Sequence, residues 1–127
     1  MTRCGIDLVE VARIQQSAEK NPRFVTRVFG DLEQELFQGA SRYQRMAANF
    51  AAKEAFSKAL GTGLRGFRLT EVQVLRDEWG APFFQLDGTA AEKARGLCFS
   101  VSLTHTREYA QAFVLAEETE KGGMDGC

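Results

Sequence analysis

Apolar positions recur with two different periods along the chain, and the change of period divides it. Residues 2–9 (TRCGIDLV) read as a short strand, with Asp7 an odd charge among apolar neighbours. Residues 10–20 (EVARIQQSAEK) place Val11 and Ile14 on one face and Gln15, Gln16 and Glu19 on another, which predicts a short helix broken by Asn21-Pro22. Arg23 to Phe29 is a mixed basic and apolar stretch. A second helix is expected after Gly30, with Asp31 as its N-cap and Leu32, Leu36 and Phe37 facing inward. The longest helical signal is Ser41 to Leu60, alanine-rich, capped by Ser41 and closed by Gly61-Thr62-Gly63. Its small residues suit close packing against a sheet or another helix.

Beyond that helix the period shortens. TEVQVLRD (70–77) alternates, Glu78-Trp79-Gly80 turns the chain, and PFFQLD (82–87) returns as a second strand. A short helix over AAEKARG leads to two apolar runs, 97–104 and 109–118, joined by a hairpin connection through HTRE. Helices early and strands late predict one compact α+β domain over residues 1–118, with an antiparallel sheet against the long helix. Residues 119–127 lack apolar periodicity and are expected to be a disordered tail.

Composition narrows the class. A chain of 127 residues with 44% hydrophobic and 26% charged residues is that of an ordinary globular domain. A formal net charge of −1 argues against a protein built around nucleic acid, though not against a local basic patch. Cys4, Cys98 and Cys127 contain no paired spacing and read as reduced thiols. With no secretory signal and no apolar run long enough to span a bilayer, the expected location is the cytoplasm.

Few residues carry obvious chemistry. Asp7 is a solvated strand end, a helix N-cap or a metal ligand, and Gly5 beside it would permit a ligand close to the backbone. Glu54 and Lys58 share a helical face. They form either an ion pair worth about 0.3–0.5 kcal/mol or a magnesium ligand followed by a phosphate-binding cation. Magnesium needs only one or two protein carboxylates, a requirement Asp7 and Glu54 would meet. His105, the one histidine, lies between Thr104 and Thr106; it is a hydrogen-bonded surface residue or part of a phosphate or adenosine site. Gly61-Thr62-Gly63 is a cap or a phosphate cradle, without the ending a Walker loop needs. Arg13, Arg23, Arg27, Arg42 and Arg45 form a solvated face or a landing surface for an acidic protein. No serine stands in a nucleophile motif, so in a transferase the attacking hydroxyl would belong to the substrate.

Three segments, GIDLVEVARI at 5–14, FAAKEAFSKALGTG at 50–63 and SVSLTHTREYAQA at 100–112, resemble the holo-acyl-carrier-protein synthase family of phosphopantetheinyl transferases in the same order. The resemblance spans Cys4 to Glu117. It implies the phosphopantetheinyl transferase fold and magnesium-dependent transfer of 4′-phosphopantetheine from coenzyme A to a serine of apo acyl carrier protein, in fatty acid biosynthesis. By position it implicates Asp7 and Glu54 as magnesium ligands and, with Lys58, as the catalytic set. Lys58, Gly61, Gly63, His105 and Thr106 would bind the coenzyme, with Arg45 as a further candidate. Arg13, Arg23, Phe24 and Arg27 would dock the carrier. The family's trimers, with sites between subunits, imply the same here. One departure stands out: where the family commonly has arginine before FAAKEA, this chain has Asn49, so an arginine expected near the coenzyme phosphates is absent. The alternative is a binding module for coenzyme A or carrier protein that performs no turnover.

Overall fold

The computed structural model describes residues 1–63 and 65–119. The chain opens with strand β1 (Thr2–Glu10), followed by helices α1 (Val11–Lys20), α2 (Pro22–Val28), α3 (Asp31–Gln34) and the long α4 (Arg42–Leu60). A single 3₁₀ turn at Leu69–Glu71 leads into β2 (Val72–Arg76) and β3 (Pro82–Leu86). Helix α5 (Gly88–Lys93) and strands β4 (Leu97–His105) and β5 (Tyr109–Glu118) complete the described chain. The strands form a three-stranded sheet in the order β1-β5-β4 and a separate β2-β3 pair, all antiparallel.

Helix α4 is the axis of the domain. Its alanines 51, 52, 55 and 59 are fully buried and pack with Ala112, Val114 and Ala116 of β5. Small side chains let the helix lie almost on the strand backbone. A Cβ on Gly5 would come within 2.0 Å of the Ala55 carbonyl oxygen, so the approach that requires this glycine is the helix, not a ligand. At the far end Phe56 stacks among Phe67, Phe84 and Phe99. Gly61 closes the helix at φ 87, its N–H reaching the Ser57 and Lys58 carbonyls, as the glycine pattern predicts.

The expected α+β architecture is present, and several local readings change. Pro22 starts a helix instead of separating segments: it occupies the first turn of α2, and the Asn21 side chain accepts from the Arg23 N–H. Gly30, not Asp31, is the N-cap of α3, and the Glu33 carboxylate accepts from the Gly30 N–H. Helix α3 is a single turn, with Leu32 exposed and Phe37 buried beyond it. Ser41 precedes α4 but makes no side-chain cap; its carbonyl accepts from the Arg45 N–H. Strand β2 does not alternate in burial, because Gln73 is enclosed and accepts from the Leu32 and Glu33 N–H groups.

Cys4 is a free, exposed thiol, whereas Cys98 is disulfide-bonded, so the expectation of three reduced thiols is corrected there. Spacing along the chain does not limit which thiols folding brings together. Thr119 is tied to the Gly96 carbonyl, and the rest of the expected tail lies outside the described residues. Among the described residues no helix is long and apolar enough to cross a membrane.

Candidate active site

Strand β1 and helix α4 bring three of the sequence candidates together. Odd-numbered residues of β1 face the helix, which places Asp7 opposite the turn of α4 that carries Glu54 and Lys58. The Lys58 ammonium donates to the Ile6 carbonyl at 2.8 Å and lies 3.4 Å from Asp7 Oδ1. The cation anticipated as a partner for Glu54 therefore crosses to the strand instead. The backbone carbonyl explains the choice, since it gives Lys58 a good acceptor in addition to a carboxylate.

Glu54 is left beside another acid. Its proton affinity is raised above the ordinary glutamate value, first by burial and then by the negative charge of Asp7, with Lys58 opposing. An acid whose ionisation is opposed by a neighbouring carboxylate forms a site that a cation would relieve. Lys58 already acts as a stand-in cation at Asp7 and the Ile6 carbonyl. Among the described residues no group of three or more acidic, histidine or cysteine ligands gathers anywhere.

A cleft of about 360 Å³ opens beside this pair, lined by Asp7, Glu54, Arg13, Ser17, Phe24 and Phe50 among others. Arg13 and Phe24, assigned by position to carrier docking, thus border the same space as the two acids. Arg23 and Arg27 stand exposed on α2, the helix that also carries Phe24. Ser17 and Phe50 were not anticipated. Each lies four residues from an implicated side chain, Arg13 and Glu54, so helical spacing carried a usable signal.

Other candidates fall elsewhere. His105 and Thr106 sit at the β4–β5 turn, where the Thr106 hydroxyl accepts from the Glu108 and Tyr109 N–H groups. Strand β5 separates β4 from β1, so one chain does not gather the histidine with Asp7, Glu54 and Lys58. Gly61 and Gly63 both adopt left-handed backbone, at φ 87 and 64, and space is open around a Cβ at Gly63. Arg45 is engaged with the carbonyls of Leu36 and Gln38, bracing the loop before α4. Asn49 is wholly buried, bonded to Glu33, the Val74 carbonyl and Arg76. Position 49 points into the core, so the absent arginine leaves no gap in the cleft.

Comparison with known proteins bears on the family and the fold. Residues 3–114 match the family model of the 4′-phosphopantetheinyl transferase superfamily. The chain belongs to that superfamily. It is 45% identical over 130 residues to the holo-[acyl-carrier-protein] synthase of Chloroflexus aurantiacus, covering 88% of this chain and 95% of that protein. The synthase of Clostridium tetani is 38% identical over 117 residues, covering 89% and 93%. In three dimensions the transferase superposes on the ACPS–CoA complex of Chronobacterium ammoniagenes with a TM-score of 0.83. That match is at 28% identity and covers 94% of this chain and 99% of the other.

Proposed function

We propose that this chain is a holo-[acyl-carrier-protein] synthase, moving 4′-phosphopantetheine from coenzyme A to a serine of an apo acyl carrier protein. The observation that carries the reading is the meeting of Asp7, Glu54 and Lys58 at the mouth of a cleft, in a chain whose superfamily is shown. The serine oxygen attacks the β-phosphorus of the coenzyme while the bond to the bridging pyrophosphate oxygen breaks. Adenosine 3′,5′-bisphosphate leaves, and the serine proton passes to one of the two carboxylates or to water.

Asp7 and Glu54 fit a magnesium ion, which would supply charge neutralisation at the pyrophosphate oxygens. Lys58 is exposed enough to swing from Asp7 toward a phosphate, and its ammonium serves there as a point charge. Arg13 at the cleft, with Arg23 and Arg27 on α2, offers a positive approach to an acidic carrier, and Phe24 an aromatic contact. His105 and Thr106 are proposed for the nucleotide end of the coenzyme, supplied by a neighbouring copy. The outer face of the main sheet supports such a neighbour: Ile6, Leu8, Tyr109 and Phe113 are all exposed there, with Ile6 paired to Phe113.

The test is a transfer assay. Apo carrier, coenzyme A and magnesium are mixed with the protein, and the carrier should gain the phosphopantetheine mass. Absence of that gain, while another synthase modifies the same carrier, would overturn the reading. The binding-module alternative rests on the Asn49 departure, and the burial of Asn49 speaks against that residue having a role in the cleft.

A further inference from the structure

Beside the cleft-lining stripe of α4, about 100° round the helix, lies a second polar cluster that the proposed reaction does not use. Lys53 is fully buried and donates to Glu33 Oε1 at 2.6 Å, the Leu69 carbonyl at 2.9 Å and the Val72 carbonyl at 2.7 Å. Asn49, one turn earlier, donates to Glu33 Oε2 at 2.9 Å and to the Val74 carbonyl at 3.0 Å. Its own oxygen accepts from Arg76 at 2.9 Å. The Lys53 ammonium also lies 5.4 Å from the Phe29 ring centroid. Among the described residues no buried side-chain polar atom lacks a partner.

Burial of these groups is costly and their pairing is weak evidence of stability, whereas in some proteins buried polar groups fix register instead. Helix α4 has a particular need for register. Its sheet-facing surface is a run of alanines, shallow and nearly uniform, so apolar packing alone resists rotation about the helix axis weakly. Directional hydrogen bonds to three fixed carbonyls and to a carboxylate on α3 do not share that tolerance. Glu54 follows Lys53 directly, so any rotation that moves Lys53 off its acceptors swings Glu54 and Lys58 away from Asp7.

We propose that Lys53 and Asn49, gripping Glu33 and the β2 carbonyls, are positioning residues that set the rotation of α4 and thereby hold Glu54 and Lys58 on Asp7. The proposal rests on the assignment of Asp7 and Glu54 as a divalent-metal pair. Arg76 completes the cluster from its half-buried end.

The decisive comparison is between wild type and the double variant Glu33→Gln/Lys53→Met, which removes the buried charges as a pair. Mn²⁺ affinity without coenzyme, read by electron paramagnetic resonance, is measured beside steady-state transfer. A folded double variant should bind Mn²⁺ about 10-fold more weakly and lose kcat by a similar factor, while its KM for carrier protein stays unchanged. A folded variant matching wild type in Mn²⁺ affinity and kcat overturns the proposal. Should the double variant fail to fold, Arg76→Ala decides it. A several-fold loss in Mn²⁺ affinity supports the proposal, and wild-type affinity overturns it. A wild-type protein that binds Mn²⁺ and transfers nothing overturns the transferase reading alone, and the Mn²⁺ comparison still decides the positioning role.

Discussion

On helix α4, Asn49 and Lys53 are completely enclosed, whereas Glu54 and Lys58, roughly 100° further round, stand where solvent reaches them. The two stripes carry similar chemistry and opposite physics. In the enclosed stripe each polar atom has a partner, and the charges of Lys53 and Glu33 answer each other at 2.6 Å. In the open stripe Glu54 faces a second carboxylate, and Lys58 bridges to a neighbouring strand at 3.4 Å. A satisfied buried network fixes geometry. A pair of acids at a cleft, with only Asp7 bridged by a lysine, has capacity left to bind, which is the ground for proposing it as the working site.

The largest expected effect breaks the enclosed stripe from one side only. Lys53→Met leaves the Glu33 carboxylate buried without its cation and should cost about 3–5 kcal/mol of folding stability, measured by urea unfolding. A loss under about 1 kcal/mol would show that the pair behaves like a surface bridge. Glu54→Gln should do the reverse. It leaves the fold intact by circular dichroism and lowers kcat for carrier modification about 100-fold or more. If that variant turns over near the wild-type rate, the open stripe is not the catalytic one.

Lys58→Gln separates the two tasks of that lysine. With the ammonium gone, Asp7 and the Ile6 carbonyl lose their stand-in cation, so magnesium binding without coenzyme should tighten roughly 2–5-fold, the scale of an exposed ion pair. The KM for coenzyme A should rise in the same variant. Calorimetry reads the first effect and steady-state kinetics the second. Unchanged magnesium affinity would mean that Lys58 and the metal do not compete.

How much of this was legible in the sequence follows from the same contrast. Helix α4 was read correctly because alanine spacing and Gly61 are local signals. Strands β4 and β5 were read nearly to their ends for the same reason. The sequence pattern omits helix α2 because Asn21-Pro22 reads as a break, although proline is well suited to a first helical turn behind an asparagine cap. The enclosed network was invisible. Asn49 and Lys53 share a helical turn, but Glu33 and Arg76 lie 16 and 27 residues from Asn49, and charged residues are read as surface until a fold encloses them. Glu54 and Lys58 were found by position, yet their i, i+4 spacing pointed to a pair with each other. Only the strand could show that Lys58 reaches Asp7. His105 and Thr106 were likewise assigned by motif, and a single chain leaves them on the far strand from Asp7.

The smallest effect sharpens the contrast through stability alone. Glu54 holds its proton more tightly in the folded protein than an unfolded chain does at the ordinary glutamate value of 4.5, because of burial and Asp7. Below that value both states are protonated and the acid imposes no cost. As pH rises past it the unfolded chain ionises first, so stability falls until the folded group ionises too, and the cost persists at neutral pH. Glu54→Gln should therefore raise Tm at pH 7.5 in metal-free buffer, by at most about 2 °C because solvent screens a partly exposed carboxylate. The gain should vanish near pH 4. Added magnesium should stabilise the wild type and not the variant, since only the wild type keeps both acids. A gain in Tm that is the same at both pH values would place its origin in packing and not in the repulsion between Asp7 and Glu54.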